Sequence, residues 1–97
     1  MRFEFDGRVW VYPGAAAWHF VSLPREYSDD LKIIGGNKRG FGAVKVTVEV
    51  NGITWETSIF PDSKSGSYLL PLKKDIRNKA QLKNGLVAHF VIGIDAA

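Results

Sequence analysis

The sequence predicts a small, mainly β barrel with two short capping helices, and three observations carry that reading. Val44, Val46, Val48 and Val50 alternate with Ala43, Lys45, Thr47 and Glu49, the period of a strand with one buried face. Asn51-Gly52 follows directly, and both residues accept the positive φ of a type I′ hairpin turn. The same order of parts then occurs twice along the chain: long strand, aromatic-Pro, loop, short strand, Leu-Pro, short helix, glycine, long strand. The first pass holds Tyr12-Pro13, Leu23-Pro24 and Gly42, and the second holds Phe60-Pro61, Leu70-Pro71 and Gly85. A pseudo-two-fold internal repeat with a helix over each end of the barrel is the architecture this order implies.

Each element has its own local signal. Phe3, Phe5, Gly7, Val9 and Val11 share one face of a first strand, which reads as continuous to Val11 with a bulge or close backbone approach at Gly7. Pro13-Gly14 ends it, and Trp18 to Ser22 reads as a second, shorter strand. Pro24 suits a first helical position and Glu26 the positive end of the helix dipole, with Ser28 able to cap the helix one turn later. Tyr27, Leu31 and Ile34 then fall on one face, and Gly35-Gly36 supplies a stop.

The two-residue turn at Asn51-Gly52 sets the hairpin register: Val50 opposite Ile53, Val48 opposite Trp55, Val46 opposite Thr57, Val44 opposite Ile59. Phe60-Pro61 is expected to end that strand, and Asp62 to Gly66 to form a turn rich in serine. A short strand from Ser67 to Leu70 leads through Pro71 into a helix near Lys73 to Ala80, with Ile76 turned inward. Leu86 to Asp95 is the last strand, carrying Ala88, Phe90, Ile92 and Ile94 on the same face as Leu86.

A chain of 97 residues has room for one core, so a single domain over residues 1–97 is expected. Cysteine is absent, which removes disulfides, thiol catalysis and thiolate metal sites together and suits a reducing cytoplasm. The charged start Met1-Arg2-Phe3-Glu4-Phe5-Asp6 is unlike a signal peptide, and no apolar run approaches membrane-spanning length, so a cytoplasmic protein without a membrane partner is expected. The net charge of +3 permits contact with nucleic acid without demanding it. Its distribution is uneven, because Lys73, Lys74, Arg77, Lys79 and Lys83 face only Asp75 in their stretch.

No catalytic set is legible. Ser63, Ser65 and Ser67 lack a nucleophile elbow and are better explained by a turn. Asp29-Asp30 falls in a first helical turn. His19 and His89 lack metal-ligand spacing and read as ordinary surface histidines, so neither a metal nor another cofactor is expected. The glycine-rich stretch from Gly35 to Gly42 carries Lys38 and Arg39, but it follows a helix and precedes a strand, the reverse of the phosphate-binding fingerprints. Trp10, Tyr12, Trp18, Phe41, Phe60 and Tyr68 among nearby cations resemble a single-strand stacking surface, although packing under the helical caps is the expectation for most of them.

Several blocks resemble one known family: Trp18-His19-Phe20-Val21-Ser22-Leu23-Pro24, Gly42 with Val44-Lys45-Val46, Thr57-Ser58-Ile59-Phe60-Pro61, and Gly66 to Pro71 followed by Arg77. In this order they are similar to the bacterial and archaeal domain-of-unknown-function family nineteen-oh-five. The resemblance implies a double-split β-barrel with helical caps and implies no activity.

The functional expectation is a non-catalytic binding module for an anionic or nucleic-acid ligand, with Trp18, Lys38, Arg39, Tyr68, Lys73, Lys74 and Arg77 as its ligand-binding residues. A structural or protein-protein interaction domain, monomeric or homodimeric, is the alternative.

Overall fold

A computed structural model describes residues 1–14, 18–35 and 42–94. Seven strands run in the order β1 (Arg2–Arg8), β2 (Trp10–Val11), β3 (His19–Ser22), β4 (Val44–Val50), β5 (Ile53–Asp62), β6 (Ser67–Leu72) and β7 (Val87–Gly93). A 3-10 turn over Arg25–Tyr27 runs into helix α1 (Ser28–Gly35), and helix α2 (Lys74–Ala80) lies between β6 and β7. The strands form one antiparallel sheet in the order β1-β7-β4-β5-β6-β3-β2, curled into a half-barrel. No helix in the described residues is long and apolar enough to cross a membrane.

The hairpin from β4 to β5 has the register its turn predicts, from Val50↔Ile53 to Val44↔Ile59. Asn51 and Gly52 take φ of 51° and 78°, the left-handed region that such a turn requires. Alternation places Val44, Val46, Val48 and Val50 in the core with Phe3, Phe5, Val21, Leu70, Phe90 and Ile92. Each such fully buried side chain contributes about 1.5–3 kcal/mol relative to its exposed state, which is what holds a chain without disulfides.

Strand boundaries differ from expectation mainly at four places; the last strand starts at Val87, and Leu86, expected on its core face, is 40% exposed. The first strand breaks at Val9, because β1 follows β7 while β2 turns away to pair with β3. Val9 stays buried, and its backbone bonds to Leu86 and Gly85 instead. Gly7 does not break the strand. It marks the close approach: a Cβ there would collide with the Val21 side chain and lie 2.9 Å from the Phe5 ring.

The other two differences involve proline. β5 continues through Phe60-Pro61 to Asp62, and β6 continues through Pro71 to Leu72. β4 pairs with β5 only as far as Val44↔Ile59, so the absent N–H of Pro61 breaks no bond to β4. The expected helix at Pro24 begins as the 3-10 turn, and the α-helix starts at Ser28. Ser28 is buried, and its hydroxyl donates to the Gly66 carbonyl at 2.8 Å. Leu31 is buried and Tyr27 and Ile34 pack partly against the core, as their spacing predicts. The proposed stop at Gly36 lies outside the described residues.

Candidate functional site

The sheet opens between β5 and β6. These strands pair only at Phe60↔Leu69, Pro61↔Tyr68 and Asp62↔Ser67, while β6 pairs with β3 along its other edge from Ser22↔Leu69 to His19↔Leu72. From Glu56 to Ser58, β5 is therefore bonded on its β4 side alone. The opening is a groove of about 690 Å³. One wall is Glu56, Thr57, Ser58 and Phe60; the other is Trp18, His19, Pro71 and Leu72; Lys73, Lys74 and Arg77 stand at the rim. A smaller cleft of about 360 Å³ shares Glu56, Thr57 and Ser58 and extends the surface toward Lys45 and Thr47.

Arg77 is held in place from two sides. Its Nε donates to the Leu72 carbonyl at 3.2 Å, and its Nη1 lies 3.3 Å from His19 Nε2. A guanidinium can only donate, so His19 Nε2 accepts and the ring proton sits on Nδ1. That Nδ1 is buried and has no hydrogen-bond partner among the described residues. His19 is thus half-buried and engaged, which corrects its reading as a surface histidine. Its parity with buried Val21 carried the signal, because residues two apart on a strand face the same side.

Trp18 is 60% exposed and lies nearly parallel to Phe20, with ring centroids 6.1 Å apart. Phe20 in turn contacts Trp10 at 5.3 Å and Tyr12 at 6.2 Å, while Trp10 Nε1 donates to Ser22 Oγ at 3.0 Å. Tyr12 and Phe60 are 42% and 41% exposed. The expectation that these aromatics pack under the helical caps therefore fails for Tyr12, Trp18 and Phe60. Tyr68 does pack in the core, where burial raises its phenol pKa.

Of the seven residues expected to bind ligand, Trp18, Lys73, Lys74 and Arg77 come together around the groove. Tyr68 is buried opposite Pro61, and Lys38 and Arg39 lie outside the described residues. Sequence reading missed His19, Glu56 and Pro71 as walls, because nothing local marks where a sheet splits. No ion pair engages Lys45, Glu56, Lys73, Lys74 or Arg77 among the described residues.

The remaining polar features are structural. The turn after β5 is closed by Asp62, whose carboxylate accepts from Ser65 Oγ at 2.7 Å; these bonds hold its pKa below the usual value. His89 lies exposed across β1 and β7, with Nδ1 2.8 Å from Asp6 and Nε2 3.1 Å from Glu4. Bonding to both carboxylates raises its pKa above 6.5.

Fold and groove together define a small curled β-sheet domain with an open cleft that is apolar within and basic at its rim. The chain belongs to the family described as Domain of unknown function (DUF1905), whose model matches residues 5–92. No curated protein matches the chain.

Proposed function

We propose that the domain is a non-catalytic binding module that takes an anionic or nucleic-acid ligand in the groove between β5 and β6. The observation that carries this reading is the convergence of an exposed tryptophan, an apolar wall and three cations, Lys73, Lys74 and Arg77, on one opening. Unpaired cations beside an aromatic face supply both the charge attraction and the contact area that an anion with an apolar part requires.

The strand pairing supports the finer architecture, a double-split barrel built from two related halves. Phe3↔Ile92 corresponds to Trp55↔Val48, Phe5↔Phe90 to Thr57↔Val46, and Trp10↔Phe20 to Asp62↔Ser67. The pairs Val48↔Ile92 and Ser22↔Leu69 exchange their own members under the same relation. Leu23-Pro24 then matches Leu70-Pro71, whereas Tyr12-Pro13 falls out of step with Phe60-Pro61. Superposing the halves tests this: Leu23-Pro24 with the turn after it must fall on Leu70-Pro71 with α2 under a single rotation.

The same relation singles out the groove. Tyr27 is the counterpart of Lys74, and Tyr27 fills its own site, its ring tilted against Phe3 at 4.5 Å and its hydroxyl donating to the Glu4 carbonyl at 3.2 Å. In the other half the equivalent place holds Lys74 and stays open.

Binding of polyphosphate and of oligonucleotides, followed by intrinsic tryptophan fluorescence at several salt concentrations, tests the reading. Affinity should fall with salt, and the slope should drop by about 1 for each cation lost in a Lys73→Ala, Lys74→Ala or Lys38→Ala/Arg39→Ala variant that contacts the anion. Binding that ignores all of these substitutions sinks the proposal. The exposed Tyr12, Trp18 and Phe60 favour a second reading, a protein-interaction or homodimer surface. A strictly monomeric species at high concentration counts against the homodimer form.

A further inference from the structure

We propose, resting on the groove reading above, that the ligand is a single-stranded nucleic acid, with one base stacked on Trp18, its phosphates along Lys73, Lys74 and Arg77, and the amino edge of a base on Glu56. The groove lining combines cations, apolar side chains and one carboxylate. Cations stand on the α2 side, Pro71 and Leu72 line the wall next to them, and Glu56, Ser58 and Phe60 line the β5 wall. A bare anion would use the cations and be repelled by Glu56. A ligand that carries phosphate, a flat ring and hydrogen-bond donors uses all three parts.

The ring surface is already in place. Trp18 is held nearly parallel to Phe20, so its outer face is exposed while its inner side has an aromatic neighbour. Stacking on such a face tolerates any base, because every base has a π-face. Glu56 supplies discrimination: a carboxylate only accepts hydrogen bonds, so it favours bases with an exocyclic amine, such as cytosine, over thymine.

The openness of the site favours a strand over a free nucleotide. Pockets for small ligands bury most of the ligand surface. Here the groove runs into the adjoining cleft, where Lys45 of β4, opposite Ser58, adds a further cation. A chain spanning both openings reaches the cations beside α2, the Trp18 ring, the Glu56 carboxylate and Lys45.

Fluorescence anisotropy of labelled oligodeoxycytidylate and oligothymidylate of equal length, with the intact chain, tests the proposal; polyphosphate, free cytidine monophosphate and a duplex serve as competitors. Oligodeoxycytidylate should bind more tightly than oligothymidylate, and each more tightly than the mononucleotide or the duplex. Trp18→Ala should weaken both oligonucleotides roughly 5- to 150-fold, with Trp18→Phe retaining part of the affinity. Glu56→Gln should narrow the difference between the two oligonucleotides and leave the fold unchanged by circular dichroism. If polyphosphate binds through Lys73 and Lys74 while oligonucleotide binding ignores Trp18→Ala, the nucleic-acid proposal falls and the anion site stands. A mononucleotide that binds as tightly as the oligonucleotides also overturns it. If none of these ligands binds, both readings fall together.

Discussion

The Arg77 guanidinium donates to Nε2 of His19 at 3.3 Å, and in doing so leaves the buried Nδ1–H of the same ring without a partner among the described residues. A buried donor left unpaired costs about 1–3 kcal/mol. The pair thus fixes a cation at the groove at the expense of an unsatisfied polar atom among the described residues. His19→Leu should therefore leave the unfolding temperature unchanged or raise it by a few degrees, while weakening polyphosphate binding. Thermal unfolding and an anion titration on one preparation check both halves. A destabilisation as large as that of a core truncation would show that the imidazole is structural.

Gly7 faces Val21 at a distance that excludes a side chain. Gly7→Ala should cost about 1–3 kcal/mol by overpacking, although the backbone there is an ordinary strand. Adding Val21→Ala in the same chain should return part of that loss, since it removes the colliding methyl. Urea unfolding of the single and double variants measures the coupling; simple additivity would remove the packing explanation.

His89 adds a pH-dependent contribution to stability. Its folded-state pKa is raised by Asp6 and then Glu4, so protons bind more tightly to the folded chain. The contribution is fully present below the unfolded value of about 6.5 and fades as pH rises through the higher folded value. His89→Gln should flatten the stability profile across that window. Unfolding midpoints between pH 5 and 9 measure it, and a profile of unchanged slope would assign the dependence elsewhere.

Met1 and Ile94 lie side by side, the Ile94 N–H donating to the Met1 carbonyl at 2.8 Å. Under the two-fold relation proposed between the halves, this contact is the counterpart of Val50↔Ile53, the pair that Asn51-Gly52 closes. A circular permutant opened at Asn51-Gly52, with the original ends joined by a short glycine-rich linker, should fold to the same sheet. Amide chemical shifts of β4 and β7 report it. A permutant that fails to fold although the linked, unopened circle folds would show that the hairpin is needed beyond closing the strands.

Much of the fold was legible because its determinants are local. Alternation from Val44 to Val50 and the φ preferences of Asn51-Gly52 set a strand face and a register without reference to anything distant. The same holds for Leu31 on α1 and Ile76 on α2, whose spacing alone turned them inward. The family resemblance rested on short blocks of this kind, and the matching family model covers them.

The site was legible in its charges and not in its geometry. The basic run from Lys73 to Arg77 stood out in the sequence, as did the tryptophan at position 18. That the two meet depends on β3 pairing with β6 as far as His19↔Leu72, a contact between segments far apart in the chain. Whether an aromatic is core or surface was settled the same way: Tyr68 and Phe60 lie on neighbouring strands, yet one is buried and the other exposed. Composition and period determine which residues can form strands and which faces are apolar. Only tertiary structure decides where the sheet parts, because β6 keeps β3 along one edge as far as Leu72 while its other edge separates from β5 beyond Leu69.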